Sequence, residues 1–313
     1  MRVTYLTRYN PRMPLLSRRQ LLAAAPFAVA ATRLKALPLA DFPLGVTTDE
    51  IDEDVLTAVK FLRRFDLRYA EVRSIWGKYN TQQPLDKVKE ARAIFDEYQI
   101  KTSILGTPFF KVALPKDNAA LDAQWKLLDE AMARAQVLGT DKMRVFAFTY
   151  KDGEQPDAAV YPRIYELVRE AATRAKAKAI RLACENVGQS YVWSGAQAAE
   201  LLKNVKNDNF GLTWDPNNAA QTGEHSYPEG FGKLDVARIF HVHLRDWKHR
   251  PDGVVEWAPV GGGEMDNLGQ IRALRKAGYR GTYTLETHYR DPKGKAYATE
   301  NSLTGLLKVI AQV

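Results

Sequence analysis

The feature that most constrains this chain is a repeated alternation of short apolar or β-branched runs with longer segments of helical spacing. Eight such runs follow Asp41. Strands that alternate with helices predict parallel β-α-β units. Eight units between residues 42 and 313 match the length of about 250 residues that is usual for a (β/α)8 barrel. The predicted strands are Leu44–Thr48, Tyr69–Arg73, Thr102–Gly106, Met143–Phe148, Ile180–Glu185, Phe210–Asp215, Phe240–Arg245 and Thr282–Glu286. We therefore predict an α/β fold, a single (β/α)8 TIM barrel over residues 42–313.

Two of the helical segments carry clear boundary signals. One opens at Asn118 and ends at Gly139, and another has Asp266 as a candidate N-cap and Gly278 as a stop. An open, doubly wound sheet is the alternative architecture. It is disfavoured because the turn after the first strand, residues 45–49, lacks the Gly-rich pattern of dinucleotide-binding folds.

The first thirty residues have the pattern of an export signal. Arg18 and Arg19 precede a short apolar run that ends in Ala-Val-Ala at residues 28–30. A basic segment, an apolar segment and an A-x-A site make a cleavable secretory signal, and the paired arginines resemble the twin-arginine (Tat) motif. A frayed amphipathic helix is the alternative. We expect a Tat signal peptide over residues 1–30, a short linker over 31–41, passage through the Tat export machinery, and a periplasmic or otherwise exported protein.

Charge and cysteine content exclude several classes of protein. Five of the eight net positive charges come from arginines before residue 31, where no acidic residue occurs. The small remaining excess gives no argument for a polyanionic partner, so we expect no nucleic-acid partner. The apolar run is too short to span a bilayer and no cysteine follows it closely, so we expect no membrane anchor. The single cysteine, Cys184, excludes a disulfide framework and a Cys-based zinc site.

Four consecutive predicted strands end in a residue that can bind a metal. These residues are Glu185, Asp215, His243 and Glu286. The carboxyl ends of barrel strands converge on one rim, so the four side chains are placed to meet. A single acidic residue at a strand end is usually a solvated residue or a helix N-cap, but four in succession indicate a site. Three carboxylates and one imidazole suit one divalent metal ion: Mn²⁺ is the first choice, with Mg²⁺, Co²⁺ or Zn²⁺ as alternatives.

The motifs around these residues resemble the xylose-isomerase-like TIM-barrel superfamily over nearly all of the predicted mature chain. They are E-N at Glu185, W-D-P-x-N at Asp215, H-V-H-L-x-D around His243 and L-E-T-H at Glu286. This superfamily, also called AP endonuclease family 2, contains sugar phosphate isomerases and epimerases and endonuclease IV. The resemblance to its ketose 3-epimerases implies that the four residues bind the metal and that Glu185 and Glu286 are the catalytic acid/base pair.

The residues at the four strand ends can carry out the chemistry of these epimerases. Epimerisation beside a carbonyl removes a proton from one face of a carbon and returns it to the other, which two carboxylates on opposite sides of a metal-bound enediolate can do. We therefore expect a metal-dependent sugar isomerase or epimerase with a small carbohydrate as substrate. The same acid/base pair can run β-elimination, so a lyase or dehydratase acting on a 3-keto-sugar or inosose is the alternative. A non-catalytic sugar-binding barrel is a further one.

Three positions depart from the family pattern. Tyr191, Asn218 and His249 stand where the family epimerases carry a glutamate, a histidine and an arginine that grip substrate hydroxyls, and Arg250 lies beside the last of them. Endonuclease IV fits less well, because its three-metal cluster uses earlier histidines and this chain has none before His225. Because sugar phosphates are cytoplasmic metabolites, export favours an unphosphorylated substrate.

Further candidates lie at or near the same rim. The predicted substrate-binding residues are Arg73, Trp76, Asn218, Trp247, His249 and Arg250. Trp76 and Trp247 lie just past strand ends, where rings either stack on sugars or pack loops. We expect Glu71 in an ion pair inside the barrel and His241 one layer below the metal ligands. The Gly-rich loop at 261–263 is interpreted as a mobile lid, or alternatively as a phosphate loop. The sequence leaves a homo-oligomer open.

Overall fold

A computed structural model describes residues 42–151, 154 and 156–313 of the chain. Eight parallel strands close into a barrel in which the first strand pairs with both the second and the last. These strands are β1 (Leu44–Thr47), β2 (Tyr69–Val72), β5 (Lys101–Gly106), β6 (Lys142–Val145), β7 (Arg181–Glu185), β8 (Phe210–Trp214), β9 (Ile239–Leu244) and β12 (Thr282–Leu285). Two antiparallel hairpins above the rim hold the remaining four strands, which are β3 (Ser74–Ile75), β4 (Lys78–Tyr79), β10 (Asp246–His249) and β11 (Val255–Ala258). Closure confirms the predicted (β/α)8 barrel and excludes the open sheet.

The helices surround the barrel or follow its strands at the rim. They are α1 (Thr48–Ile51), α2 (Val55–Arg64), α3 (Leu85–Glu97), α4 (Asn118–Leu138), α5 (Tyr161–Lys176), α6 (Gly195–Asn204), α7 (Pro216–Gln221), α8 (Asn267–Lys276) and α9 (Lys295–Ile310). Several short 3₁₀ turns complete the connections. No helix among the described residues is both long and apolar enough to cross a membrane.

The two helices with clear boundary signals begin and end close to the predicted positions. Asp117 caps α4 by accepting a hydrogen bond from the Ala120 N–H, and Gly139 ends the helix with φ +71°. A left-handed residue at this position is the usual glycine-terminated helix end. Asp266 caps α8 as predicted.

The barrel interior is apolar at one level and charged at another. Ile104, Ala183 and Phe240 form an apolar cluster. The ring of Phe240 comes so close to Gly211 that a Cβ on that glycine would lie 2.8 Å from the Phe240 Cε2 atom. Alternation along the strands places every second residue on the same face, so Glu185 and His243 share a face with Ala183 and His241. The apolar cluster therefore lies beneath a layer of buried polar side chains at the carboxyl ends of the strands.

One strand boundary was predicted wrongly. The apolar run 143–148 predicts a long fourth strand, but β6 ends at Val145. Phe148 has φ +63° and donates its N–H to the Phe110 carbonyl, and the Phe110 and Phe148 rings lie 4.1 Å apart. Residues 146–148 are thus apolar because they pack a loop against a second aromatic loop. The predicted signal peptide and linker lie outside the described residues and stay predictions.

Candidate active site

The four residues predicted to bind a metal come together at the carboxyl ends of β7, β8, β9 and β12. One ligand atom of each of Glu185, Asp215, His243 and Glu286 lies within 4.8 Å of the others, and all four side chains are buried. The Nδ1 atom of His243 is 3.3–3.7 Å from an oxygen of each carboxylate. Ligands about 2.0–2.4 Å from a common centre would have this spacing.

Asp215 has two separate functions in this arrangement. Its Oδ1 accepts hydrogen bonds from the Asn217 and Asn218 N–H groups, 2.9 and 3.0 Å away, and so caps α7. Its Oδ2 points to His243 and to the guanidinium of Arg245. A helix cap and a ligand are therefore compatible, because each uses a different oxygen of the same carboxylate.

The His243 imidazole is oriented by a buried carboxylate on β2. Its Nε2 lies 2.9 Å from Glu71 Oε2, and the same oxygen is 3.2 Å from His241 Nε2. The other nitrogen, His243 Nδ1, is buried and has no hydrogen-bond partner among the residues that the structure describes. An unpartnered buried nitrogen that faces three carboxylates is what a metal ligand requires, so the residues present fit a divalent cation.

Three arginines neutralise much of the negative charge. Arg144 Nε lies 3.3 Å from Glu185, and its NH1 atom lies 3.4 Å from Glu71. Arg73 contacts Glu286 at 2.6 Å. Arg245 pairs with Asp215 and lies 3.6 Å from Glu286. These contacts hold each carboxylate in one orientation.

The buried charges shift one another's pKa values. Burial opposes ionisation of Glu185, but attraction to Arg144 and contact with His243 outweigh it and lower the pKa of Glu185 to about 2. Burial likewise opposes ionisation of Glu286, yet His243 and His288 hold its pKa well below the usual range. Both glutamates are therefore ionised at neutral pH, which is the state needed to bind a cation or accept a proton.

Two of the predicted substrate-binding residues join this cluster. Asn218 donates from Nδ2 to Glu185 Oε1 at 3.2 Å. Arg73 bridges Glu286 to Asp49, with Arg73 Nε 3.0 Å from the Asp49 carboxylate. Glu71 forms the predicted ion pair inside the barrel, here with Arg144, and His241 lies beneath His243 as expected.

The other predicted substrate-binding residues lie away from the four ligands. Trp76 donates its indole N–H to Asp54, 3.3 Å away. His249 and Arg250 are exposed beside the β10–β11 hairpin and pair with Glu264 and Asp252, respectively. These two surface pairs satisfy both side chains locally. The structure therefore does not bring these three residues to the carboxylates.

Trp247 lies beside a separate cavity. It lines a cavity of about 340 Å³ together with His225, Tyr227 and Gln270. Trp257 stands opposite Trp247 in the hairpin, and its ring lies 4.7 Å from the Arg245 guanidinium carbon and stacks on His288. Trp257, which the sequence analysis did not select, is therefore the hairpin tryptophan that reaches the cluster.

The Gly-rich loop is tied down. The Gly261 and Gly263 N–H groups donate to Asp246 Oδ2, 2.9 and 3.2 Å away, and the Met265 N–H donates to Oδ1 of the same carboxylate. A Cβ on Gly263 would lie 2.2 Å from Asp246 Oδ1, so glycine is required there. The loop is therefore neither the mobile lid nor the phosphate loop that the sequence suggested, because the Asp246 carboxylate accepts its N–H groups and fixes its conformation.

Sequence reasoning missed several members of the site. Arg245 is two residues beyond His243, and this spacing predicts that both side chains lie on the same face of the strand. Arg144 stands in the apolar run of β6, where a buried cation implies an anion nearby. His288 lies 3.4 Å from Glu286, in the loop after β12. The conformation of that loop, which brings the side chain to the site, has no periodic signal in the sequence.

Comparisons with known proteins agree with this architecture. The family described as the xylose isomerase-like TIM barrel matches residues 59–305. None of the curated protein sequences matches the chain. Many solved structures share the fold.

Three of these structures illustrate the likeness. The IOLI protein with a binding zinc atom has 19% identity and a TM-score of 0.71 over 87% of this chain and 99% of its own. A xylose isomerase-like TIM-barrel protein from Mycobacterium smegmatis in complex with magnesium has 16% identity and a TM-score of 0.64 over 89% and 98%. D-allulose 3-epimerase from Methylomonas sp. in complex with D-allulose has 17% identity and a TM-score of 0.64 over 87% and 95%.

Proposed function

We propose that this chain, which belongs to the xylose isomerase-like TIM-barrel family, is a divalent-metal-dependent sugar isomerase or epimerase. The observation that carries the proposal is the convergence of Glu185, Asp215, His243 and Glu286 around one point. Structurally similar proteins include one that binds zinc, one in complex with magnesium and an epimerase in complex with its sugar. Mn²⁺ remains our first choice of ion because oxygen ligands predominate.

The two glutamates are placed to act on opposite sides of one substrate carbon. Glu185 ends β7 and Glu286 follows β12, and β8 and β9 separate these strands in the barrel. Their carboxylates approach His243 Nδ1 from two directions, 3.4 and 3.3 Å away. A carbon between them would lose its proton to one carboxylate. It would regain a proton from the other once that carboxylate has taken up a proton from solvent.

The surrounding residues prepare that transfer. Arg73 and Arg144 hold the carboxylates ionised and oriented, so little reorganisation is needed when a proton moves. A bound divalent cation would polarise the carbonyl and stabilise the negative charge that develops on oxygen. Asn218 contacts Glu185 and lies at the rim, where it can also meet a substrate hydroxyl.

The substrate we propose is an unphosphorylated keto-sugar. The export signal expected over residues 1–30 favours it, since phosphorylated sugars are cytoplasmic metabolites. The site also contains the acid/base pair that β-elimination would need. The mass of the product distinguishes the two reactions, because a dehydratase product is lighter by one water.

The test compares the wild type with Glu286→Gln in the exchange of hydrogen at the sugar carbon beside the carbonyl. The Mn²⁺-loaded protein is incubated in D₂O with D-fructose, D-tagatose, D-allulose, D-fructuronate and an inosose, and deuterium in the sugar is followed by NMR and mass. We expect exchange by the wild type with at least one sugar, and a loss of about 10²–10⁴-fold in Glu286→Gln because the variant lacks one proton carrier.

The control is Glu166→Gln, which removes a carboxylate from a surface pair with Arg163 and should exchange at the wild-type rate. Circular dichroism checks that Glu286→Gln is folded. A folded Glu286→Gln that exchanges as fast as the wild type, or a metal-loaded wild type that exchanges no sugar, would contradict the proposed reaction.

A further inference from the structure

Lys111 is held in a fixed position at the rim, in the loop between β5 and α4. Its N–H donates to the Pro108 carbonyl, 2.9 Å away. On either side of it, the Phe110 and Val112 carbonyls accept hydrogen bonds from residues 148 and 149. Phe110 is only 1% exposed. The exposed lysine therefore projects from a backbone that is anchored before and after it.

The ammonium of Lys111 lies over an aromatic ring that also contacts an arginine of the carboxylate cluster. Its Nζ is 4.7 Å from the centre of the Phe146 ring, and the Arg144 guanidinium carbon is 5.3 Å from the same centre. Arg144 in turn contacts Glu185 and Glu286. Lys111 and Arg144 therefore both contact the ring of Phe146.

Lys111 differs from the three arginines because its charge is not matched by an anion. Arg73, Arg144 and Arg245 each contact a carboxylate. In the part of the chain that the structure describes, the Lys111 ammonium makes neither a hydrogen bond nor an ion pair, and its contact is the Phe146 ring. Desolvation lowers its pKa, an effect that Glu185 partly offsets. An ammonium at the rim without a protein counter-ion can pair with an anionic ligand.

We infer that Lys111 binds a carboxylate group of the substrate, so that the enzyme acts on an unphosphorylated keto-sugar acid. This inference rests on the proposed function, because it assumes that the reacting part of the sugar lies at the four ligands. The export signal favours a carboxylate as the source of the charge. Lys111 is a substrate-binding residue in this account and takes no proton.

The experiment compares matched ketoses on Mn²⁺-loaded protein. Isothermal titration measures the affinities of D-fructose, D-fructuronate and D-fructose 6-phosphate for the wild type and for Lys111→Met. Because a hydrogen bond to a charged group is stronger than one between neutral groups, the wild type should bind D-fructuronate about tenfold or more tightly than D-fructose. In Lys111→Met that preference should fall to within about threefold, with the D-fructose affinity unchanged.

The matched control is Lys116→Met, which removes an exposed lysine farther along the same loop and should keep the preference. Loss of the preference for D-fructuronate in Lys111→Met supports the inference, whereas a Lys111-dependent preference for D-fructose 6-phosphate alone overturns it. A metal-loaded wild type without any preference, or a preference that survives in Lys111→Met, overturns the inference. Failure to bind Mn²⁺ in the same samples would instead count against the proposed function.

Discussion

At the scale of single residues, the site depends on how one imidazole is held. Glu71 Oε2 accepts from His243 Nε2, 2.9 Å away, and this fixes the ring so that Nδ1 faces the three carboxylates. Burial opposes the charged form of His243, yet Glu71 and Glu286 raise the pKa of the ring well above its ordinary value. A cation at this site therefore competes with a proton for Nδ1, and metal binding should weaken at acidic pH.

The residue-scale prediction concerns Glu71. Glu71→Gln leaves the four ligands in place but replaces the acceptor of the His243 N–H by a neutral amide. Loss of such an outer partner typically reduces metal affinity about 10–100-fold. Titration calorimetry with Mn²⁺ measures this change.

A suitable comparison is Glu300→Gln, because Glu300 pairs with Arg64 on the surface and should bind Mn²⁺ like the wild type. If Glu71→Gln, folded by circular dichroism, keeps the wild-type affinity, Glu71 does not orient the ligand.

At the scale of elements, the strands could be predicted and the loops between them could not. An apolar, β-branched run predicts a strand, and the residue that ends the run, such as Glu185 or Asp215, is the one whose side chain lies at the rim. Lys111 could not be predicted to lie near the site. Its position depends on how two aromatic loops pair, and that pairing produces no periodic pattern in the sequence. The same limit explains why the position of His249 could not be predicted, since the β10–β11 hairpin places it near Glu264.

The element-scale prediction concerns the amino end of β6. Lys142 donates from Nζ to Thr282, 3.1 Å away, and burial lowers its pKa to about 8, with Arg181 adding to the effect. Because this value lies below that of the unfolded chain, the unfolded state binds more protons between about pH 8 and 10.5. The free energy of unfolding should therefore rise with pH across that window through this group.

Lys142→Met should remove this rise and stabilise the protein at pH 7 by on the order of 1 kcal/mol. Urea unfolding at several pH values from 7 to 10 measures both effects. Lys101→Met, at the exposed first residue of β5, should keep the wild-type slope. An equal slope in Lys142→Met and the wild type would show that Lys142 titrates normally.

At the scale of the whole molecule, the barrel gathers more carboxylates than arginines at one rim. Three arginines, Arg73, Arg144 and Arg245, contact six carboxylates. The carboxylates are Asp49, Glu50, Glu71, Glu185, Asp215 and Glu286. Arg290 pairs with Glu50 as well, so four arginines face six carboxylates. Buried anions in excess of their counter-ions are costly, and a divalent cation would balance the remaining two charges.

The measurement that tests this account most directly is the metal content of the purified protein and of Asp215→Asn, both incubated with Mn²⁺ and then freed of unbound ions. Asparagine keeps an oxygen for the α7 cap but removes the ligand charge. Asp208→Asn, which changes an exposed partner of Lys176, is the control. We predict about one Mn²⁺ per chain in the wild type and the control, and little or none in Asp215→Asn. A wild type that holds no metal, or an Asp215→Asn that holds as much as the wild type, would contradict the four-residue site.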